Sequence, residues 1–92
     1  MGKLLVPDTV AALVRSLHPE LKKKVRACFR RILDDPQAGK KLVHELEGLR
    51  SFRIGWFRII YRVEEKKNIA IVAVGPRETI YEDTYRIIKK QE

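Results

Sequence analysis

The apolar residues of this chain change their period partway along it. Val10, Leu13, Val14 and Leu17 recur at the three- and four-residue spacing of one helical face, with Asp8 or Thr9 in front as an N-cap. His18-Pro19 interrupts the run. Pro19 suits the first position of a second helix, and Glu20 suits the positive end of its dipole. Leu21, Val25, Cys28, Phe29, Ile32 and Leu33 then form one apolar stripe opposite Lys22, Lys23, Lys24, Arg26, Arg30 and Arg31. The run D-D-P-Q-A-G ends that helix, so the first third of the chain reads as a helical hairpin, preceded by a brief strand at residues 4–6 that Pro7 stops.

Beyond Gly39 the helical period fades, and Leu42, Leu46 and Leu49 fit either a turn of helix or an extended approach. From Phe52 the period becomes two. Phe52 and Ile54 flank Arg53, Gly55-Trp56 is short enough to reverse the chain, and Phe57, Ile59, Tyr61 and Val63 alternate with Arg58, Ile60 and Arg62. Residues 64–68 form a polar loop, and residues 69–74 are nearly all apolar, as in a strand covered on both faces. Gly75-Pro76 ends that strand, and residues 79–90 can finish as a helix with Ile80, Tyr81, Thr84, Ile87 and Ile88 toward the sheet. The predicted fold is α+β: an N-terminal helical hairpin packed on one face of a small antiparallel sheet, with a short C-terminal helix. The other face is then expected to carry Arg53, Arg58 and Arg62.

Length and charge narrow the classes of function. Ninety-two residues suit one domain spanning 1–92, and a hydrophobic content of 45% excludes a disordered chain. A net charge of +8 points to an anionic partner such as nucleic acid, a membrane surface or an acidic protein. Cys28 is the single cysteine, which excludes an intrachain disulfide and a cysteine-based zinc cluster; its A-C-F setting reads as core. The start M-G-K-L-L-V-P-D lacks a signal-peptide pattern, and no apolar run approaches the ~20 residues of a membrane span, so a cytoplasmic protein is expected. Arginines fixed on adjacent strands beside Tyr81 and Tyr85 suit a polyanion with stackable bases.

Three strings, L-E-G-L-R-S-F-R-I, F-R-I-I-Y-R-V and A-V-G-P-R-E-T-I-Y, resemble the RelE/ParE superfamily of toxins from type II toxin–antitoxin pairs, with the R-I-I-Y strand and the G-x-R-x-x-x-Y ending closer to the RelE branch. The resemblance covers essentially the whole chain. It implies a ribosome-dependent endoribonuclease that cuts mRNA without metal or cofactor, inhibits translation, and is held in a hetero-oligomer by a cognate acidic antitoxin, with no membrane partner. By the same resemblance the catalytic set falls on Arg53, Arg58, Arg77 and Tyr81, while a basic position of some relatives falls on Gly55. Lys22, Lys23, Lys24, Arg62 and Tyr85 are the further RNA-binding candidates.

Metal-free RNA cleavage needs a base for the 2′-hydroxyl, cations for the phosphorane, and help for the departing oxygen. Guanidinium groups meet the second need through forked hydrogen bonds. They do not meet the first, because arginine stays protonated; His44, Glu45, Glu47 and Tyr85 are the candidates for that role. Each residue also has an ordinary reading: Arg58 and Arg62 as solubilising strand charges, Arg77 as a partner of Glu78 or Glu82, Tyr81 and Tyr85 as packing aromatics, and the three lysines as a solvated helix face. Trp56 at a hairpin tip is either exposed for a partner or folded onto the core. The alternative function is a non-catalytic member of the same fold, a ParE-like DNA gyrase inhibitor or an antitoxin-binding relic.

Overall fold

The computed structural model describes residues 2–91; Met1 and Glu92, the ends of the expected domain, lie outside the described residues. Strand β1 (Leu4–Leu5) leads into helices α1 (Asp8–Ser16) and α2 (Pro19–Asp34). Strands β2 (Lys40–Lys41), β3 (Arg50–Ile54), β4 (Phe57–Val63) and β5 (Ile69–Pro76) follow, then helix α3 (Ile80–Gln91). The strands form one sheet in the order β1-β5-β4-β3-β2.

The helical hairpin forms where the apolar period places it, with a different first cap. Asp8 lies inside the first turn of α1, and Pro7 occupies the cap position without a side-chain bond. At α2, Pro19 takes the first turn and His18 caps it, its Nδ1 accepting the Glu20 N–H at 3.2 Å. Val10, Val14, Val25, Phe29 and Ile32 are buried against Ile54, Phe57, Ile59, Tyr61, Ile69 and Ile71 of the sheet.

Two features of the expected sheet are corrected. It is mixed, because β1 runs parallel to β5 through Leu4↔Ile69 and Leu5↔Ala70, while the other pairs are antiparallel. Asn68 secures this edge by accepting the Lys3 N–H on its side-chain oxygen, and the Ile69 N–H donates to the Lys3 carbonyl. Helices also cover both faces. Ile60 and Ala73 point away from the hairpin and pack with Leu49 and Ile80, joined by Leu42, Leu46, Tyr81, Ile87 and Ile88. Ile59 and Tyr61 face the hairpin and Ile60 faces α3, so all three are fully buried in the middle of β4, while the register shift opposite them leaves Val72 of β5 as the extra residue. Arg58 and Arg62 stand on the α3 face at the two ends of this apolar run, where α3 leaves the sheet open.

The segment between Gly39 and β3 resolves into β2 and a single 3-10 turn, His44–Leu46, which contacts α3. Tyr61 anchors the approach to it: its hydroxyl accepts the Gly39 N–H and donates to the Pro36 carbonyl, each at 2.8 Å. A Cβ on Gly39 would sit 2.6 Å from that hydroxyl, so the close approach requires glycine.

Candidate functional site

Three strands contribute one row to the α3 face: Arg53 on β3 faces Arg58 on β4, which faces Gly75 on β5. Direct antiparallel partners bring side-chain roots to about 5 Å, and like charges so placed destabilise a sheet. No carboxylate lies within 4 Å of Arg53, Arg58 or Arg77 among the described residues; the ion pairs there are Arg62–Glu64, Arg86–Glu82 and Arg86–Asp83. The Arg58 Nε is buried without a hydrogen-bond partner. A buried guanidinium N–H left unpaired is costly, and an anion's oxygens would satisfy it.

Arg77 joins the row from the end of β5. Its backbone N–H donates to the Trp56 carbonyl at 2.8 Å, which extends the β4–β5 ladder into the hairpin turn. Of the nearby acids, Glu82 and Asp83 pair with Arg86, at 2.7 and 3.7 Å, and Glu78 makes no ion pair with Arg77. Arg77 is exposed and free of carboxylates. Gly75 helps to set the helix beside the row, since a Cβ there would meet the Ile80 side chain at 3.3 Å.

Tyr81, half-buried on the first turn of α3, points its hydroxyl at Ser51, oxygen to oxygen 3.2 Å. Ser51 is buried and shares the α3 face of β3 with Arg53. By resemblance, a basic position of some relatives falls on Gly55, two residues after Arg53. Gly55 instead occupies the turn at φ +54°, and the second same-face position is Ser51, two residues before. Period-two alternation is the signal that points to it.

The remaining candidates are not brought to this row. Arg62 lies four residues along β4 from Arg58, roughly 13 Å at strand rise, and pairs loosely with Glu64 at 3.8 Å. It lines a different concavity of about 720 Å³, between β1 and the end of α3, with Leu4, Val6, Val72 and Ile87. Tyr85 is 39% exposed on α3, with the Lys89 ammonium 5.8 Å from its ring centroid. Lys22, Lys23 and Lys24 ride on α2, across the sheet from the arginines. Among the base candidates, His44, Glu45 and Glu47 belong to the turn beside α3, and His44 holds a positive φ of 57°, a conformation uncommon for a side-chain-bearing residue. Burial pushes the Cys28 thiol above its ordinary range, against a smaller opposing effect of Arg31, which suits a packing residue. Among the described residues no group of three His, Cys, Asp or Glu side chains is placed to hold a metal ion, and no helix is long and apolar enough to cross a membrane.

A hairpin of helices on one sheet face, a lone helix on the other, and a row of arginines without carboxylate partners define a small α+β domain with a cationic face. Residues 8–81 match the family described as ParE toxin of type II toxin-antitoxin system, parDE, and the chain belongs to that family. No curated protein sequence matches the chain. Among solved structures, the RelBE2 toxin–antitoxin complex of Mycobacterium tuberculosis is similar at 25% identity and TM-score 0.73, over 83% of this chain and 98% of that one. A free mutant of the E. coli toxin RelE aligns over 98% of this chain and 96% of its own, at 17% identity and TM-score 0.75. The isolated E. coli RelE toxin aligns over 96% and 99%, at 18% identity and TM-score 0.70. The last two establish the shared fold, and the RelE branch expected from the sequence fits these neighbours.

Proposed function

We propose that this toxin is a ribosome-dependent endoribonuclease, acting in the cytoplasm on mRNA and restrained by an acidic antitoxin in a hetero-oligomer. The observation that carries the reading is the Arg53–Arg58 cross-strand pair with its buried, partnerless Arg58 Nε. A phosphate seated between the two guanidiniums relieves their repulsion and satisfies that N–H. As the 2′-oxygen bonds to phosphorus and the bond to the 5′-oxygen breaks, charge grows on the non-bridging oxygens, where Arg53, Arg58 and Arg77 stabilise it. The products are a 2′,3′-cyclic phosphate and a free 5′-hydroxyl. Tyr81 offers its ring to a neighbouring base, its hydroxyl being engaged by Ser51. The arginines stay protonated and the 44–47 turn is not brought to the row, so the 2′-proton passes to solvent water, which also protonates the departing 5′-oxygen.

The antitoxin reading draws on family membership, on the solved toxin–antitoxin complexes of similar fold, and on the +8 charge that an acidic segment would neutralise. The matching family model is that of ParE toxins, and this favours a second reading, a non-catalytic DNA gyrase inhibitor. Inducible expression separates the two. Growth arrest with new 5′-hydroxyl mRNA ends that vanish in Arg77→Ala supports the ribonuclease. Arrest with intact messages and altered plasmid supercoiling overturns it.

A further inference from the structure

We propose that Lys40 is a fourth cation of the arginine site, binding the phosphate next along an RNA strand from the one held by Arg53 and Arg58. The ligand class rests on the ribonuclease reading. Sheet register places Lys40 on the α3 face. It lies on β2 directly opposite Ser51 of β3, and direct antiparallel partners share a face. Ser51 marks which face that is, because its Oγ meets the Tyr81 hydroxyl of α3. Leu42, two residues further along, follows the same alternation: its N–H donates to the Leu49 carbonyl, and its side chain packs with the Leu49–Ile80 cluster. Lys41, between them, pairs with Arg50 and falls on the hairpin face with Phe52 and Ile54.

Lys40 thus extends the arginine row by one strand. Arg58 on β4, Arg53 on β3 and Lys40 on β2 are cations of three successive strands on one face. Arg53 lies two residues beyond Ser51, so it is the diagonal neighbour of Lys40, with Cα atoms about 7–8 Å apart. Lys40 is exposed, and no carboxylate lies within 4 Å of it among the described residues. An edge lysine also guards a strand against pairing with another chain, but either face of β2 would serve that end. Lys40 is set apart by its neighbours. Ser51, which holds the Tyr81 hydroxyl, adjoins Lys40 across the ladder and Arg53 along the strand. Cations that track a backbone beside a stacking ring are the elements of a single-stranded nucleic-acid groove. An ammonium on a flexible stem suits a point contact with a second phosphate, where the arginines fork onto the first.

The test titrates the whole protein with 2′-O-methyl RNA, which has no 2′-hydroxyl to attack: a dinucleotide with one phosphate and a trinucleotide with two. For the trinucleotide, Lys40→Ala should flatten the slope of log affinity against log salt by about 0.7. Wild type then loses roughly 2.6-fold more affinity than the variant between about 50 and 200 mM salt. Lys40→Arg should restore the slope. Dinucleotide affinity should be the same in wild type and Lys40→Ala. Lys41→Ala, the same charge change on the other face, should leave both titrations unmoved. No trinucleotide binding, an unchanged slope in Lys40→Ala, equal flattening in Lys41→Ala, or an equal loss for the dinucleotide would overturn the proposal. The readout is binding, so the expected Lys40 effects in a protein that leaves cellular messages intact would sink the ribonuclease reading while sustaining the second phosphate position. Cleaved messages with a slope unmoved by Lys40→Ala would do the reverse.

Discussion

Ser51 and Tyr81 join the third strand to the third helix through hydroxyls 3.2 Å apart. The bond directs the Tyr81 oxygen onto the sheet, and the ring is half-buried against the Leu49–Ile80 cluster, so under the proposed function its remaining open surface, not its hydroxyl, meets a base. Tyr81→Phe is therefore expected to retain cleavage within about tenfold, while Tyr81→Ala loses the stacking surface and about 10²-fold of activity, given ~1–3 kcal/mol for a stacked base. Single-turnover cleavage of ribosome-bound message checks both. A collapse in Tyr81→Phe equal to that of Tyr81→Ala would assign the hydroxyl to proton transfer.

Much of this arrangement is written in residue spacing. The helical stripe Leu21 to Leu33 and the alternation Phe57 to Val63 locate α2 and β4, and the three apolar neighbours Ile59, Ile60 and Tyr61 mark where both faces of the sheet are covered. Pairing is another matter. Leu4–Leu5 is too short to declare its partner, and its parallel register with β5 depends on Asn68, distant in sequence. The 42–49 segment carries too few periodic residues to reveal that Leu42, Leu46 and Leu49 seal α3 from below. At the site, the arginines are legible one by one. That Arg53 faces Arg58, and Arg62 does not, follows only from where the Gly55-Trp56 turn sets the register.

Arg58 is expected to trade stability for function. Its cross-strand neighbour carries the same charge and its Nε has no partner. Arg58→Met keeps the length of the stem and removes both penalties, so stability should rise by roughly 0.5–1 kcal/mol. Cleavage should fall about 10²-fold or more, as when a preorganised donor is removed. Urea unfolding checks the first outcome as a higher midpoint at unchanged slope.

The two groups of cations should differ in the salt dependence of RNA binding. Each neutralised phosphate of a single strand contributes a slope of about −0.7 in log affinity against log salt. Replacing Arg53 and Arg58 by Ala removes the one phosphate held between them and should flatten the slope for a short oligonucleotide by roughly 0.7. Replacing Lys22, Lys23 and Lys24 together should leave it unchanged, because α2 lies across the sheet from the row. Equal flattening in the lysine variant would mean that RNA wraps round the edge of the sheet.

The Tyr61 hydroxyl bridges Pro36 and Gly39 from a fully buried side chain, and its loss should be felt in stability alone. Tyr61→Phe leaves a buried N–H and a carbonyl without their partner, at about 1–3 kcal/mol. Gly39→Ala forces a methyl group against the same oxygen and should cost roughly 2–4 kcal/mol. The pH dependence follows from the same burial. Desolvation, first among the causes, raises the Tyr61 pKa above its ordinary 10.0, outweighing the Gly39 hydrogen bond and the Arg50 charge that lower it. A folded-state pKa above the unfolded one means that the stabilisation is complete below pH 10 and is lost as pH rises through the folded value. Wild type should thus lose stability above pH 10 more steeply than Tyr61→Phe, with other titrating groups common to both chains. Parallel denaturation midpoints for the two proteins from pH 9 to 11 would show that the hydroxyl ionises as freely in the fold as in the unfolded chain.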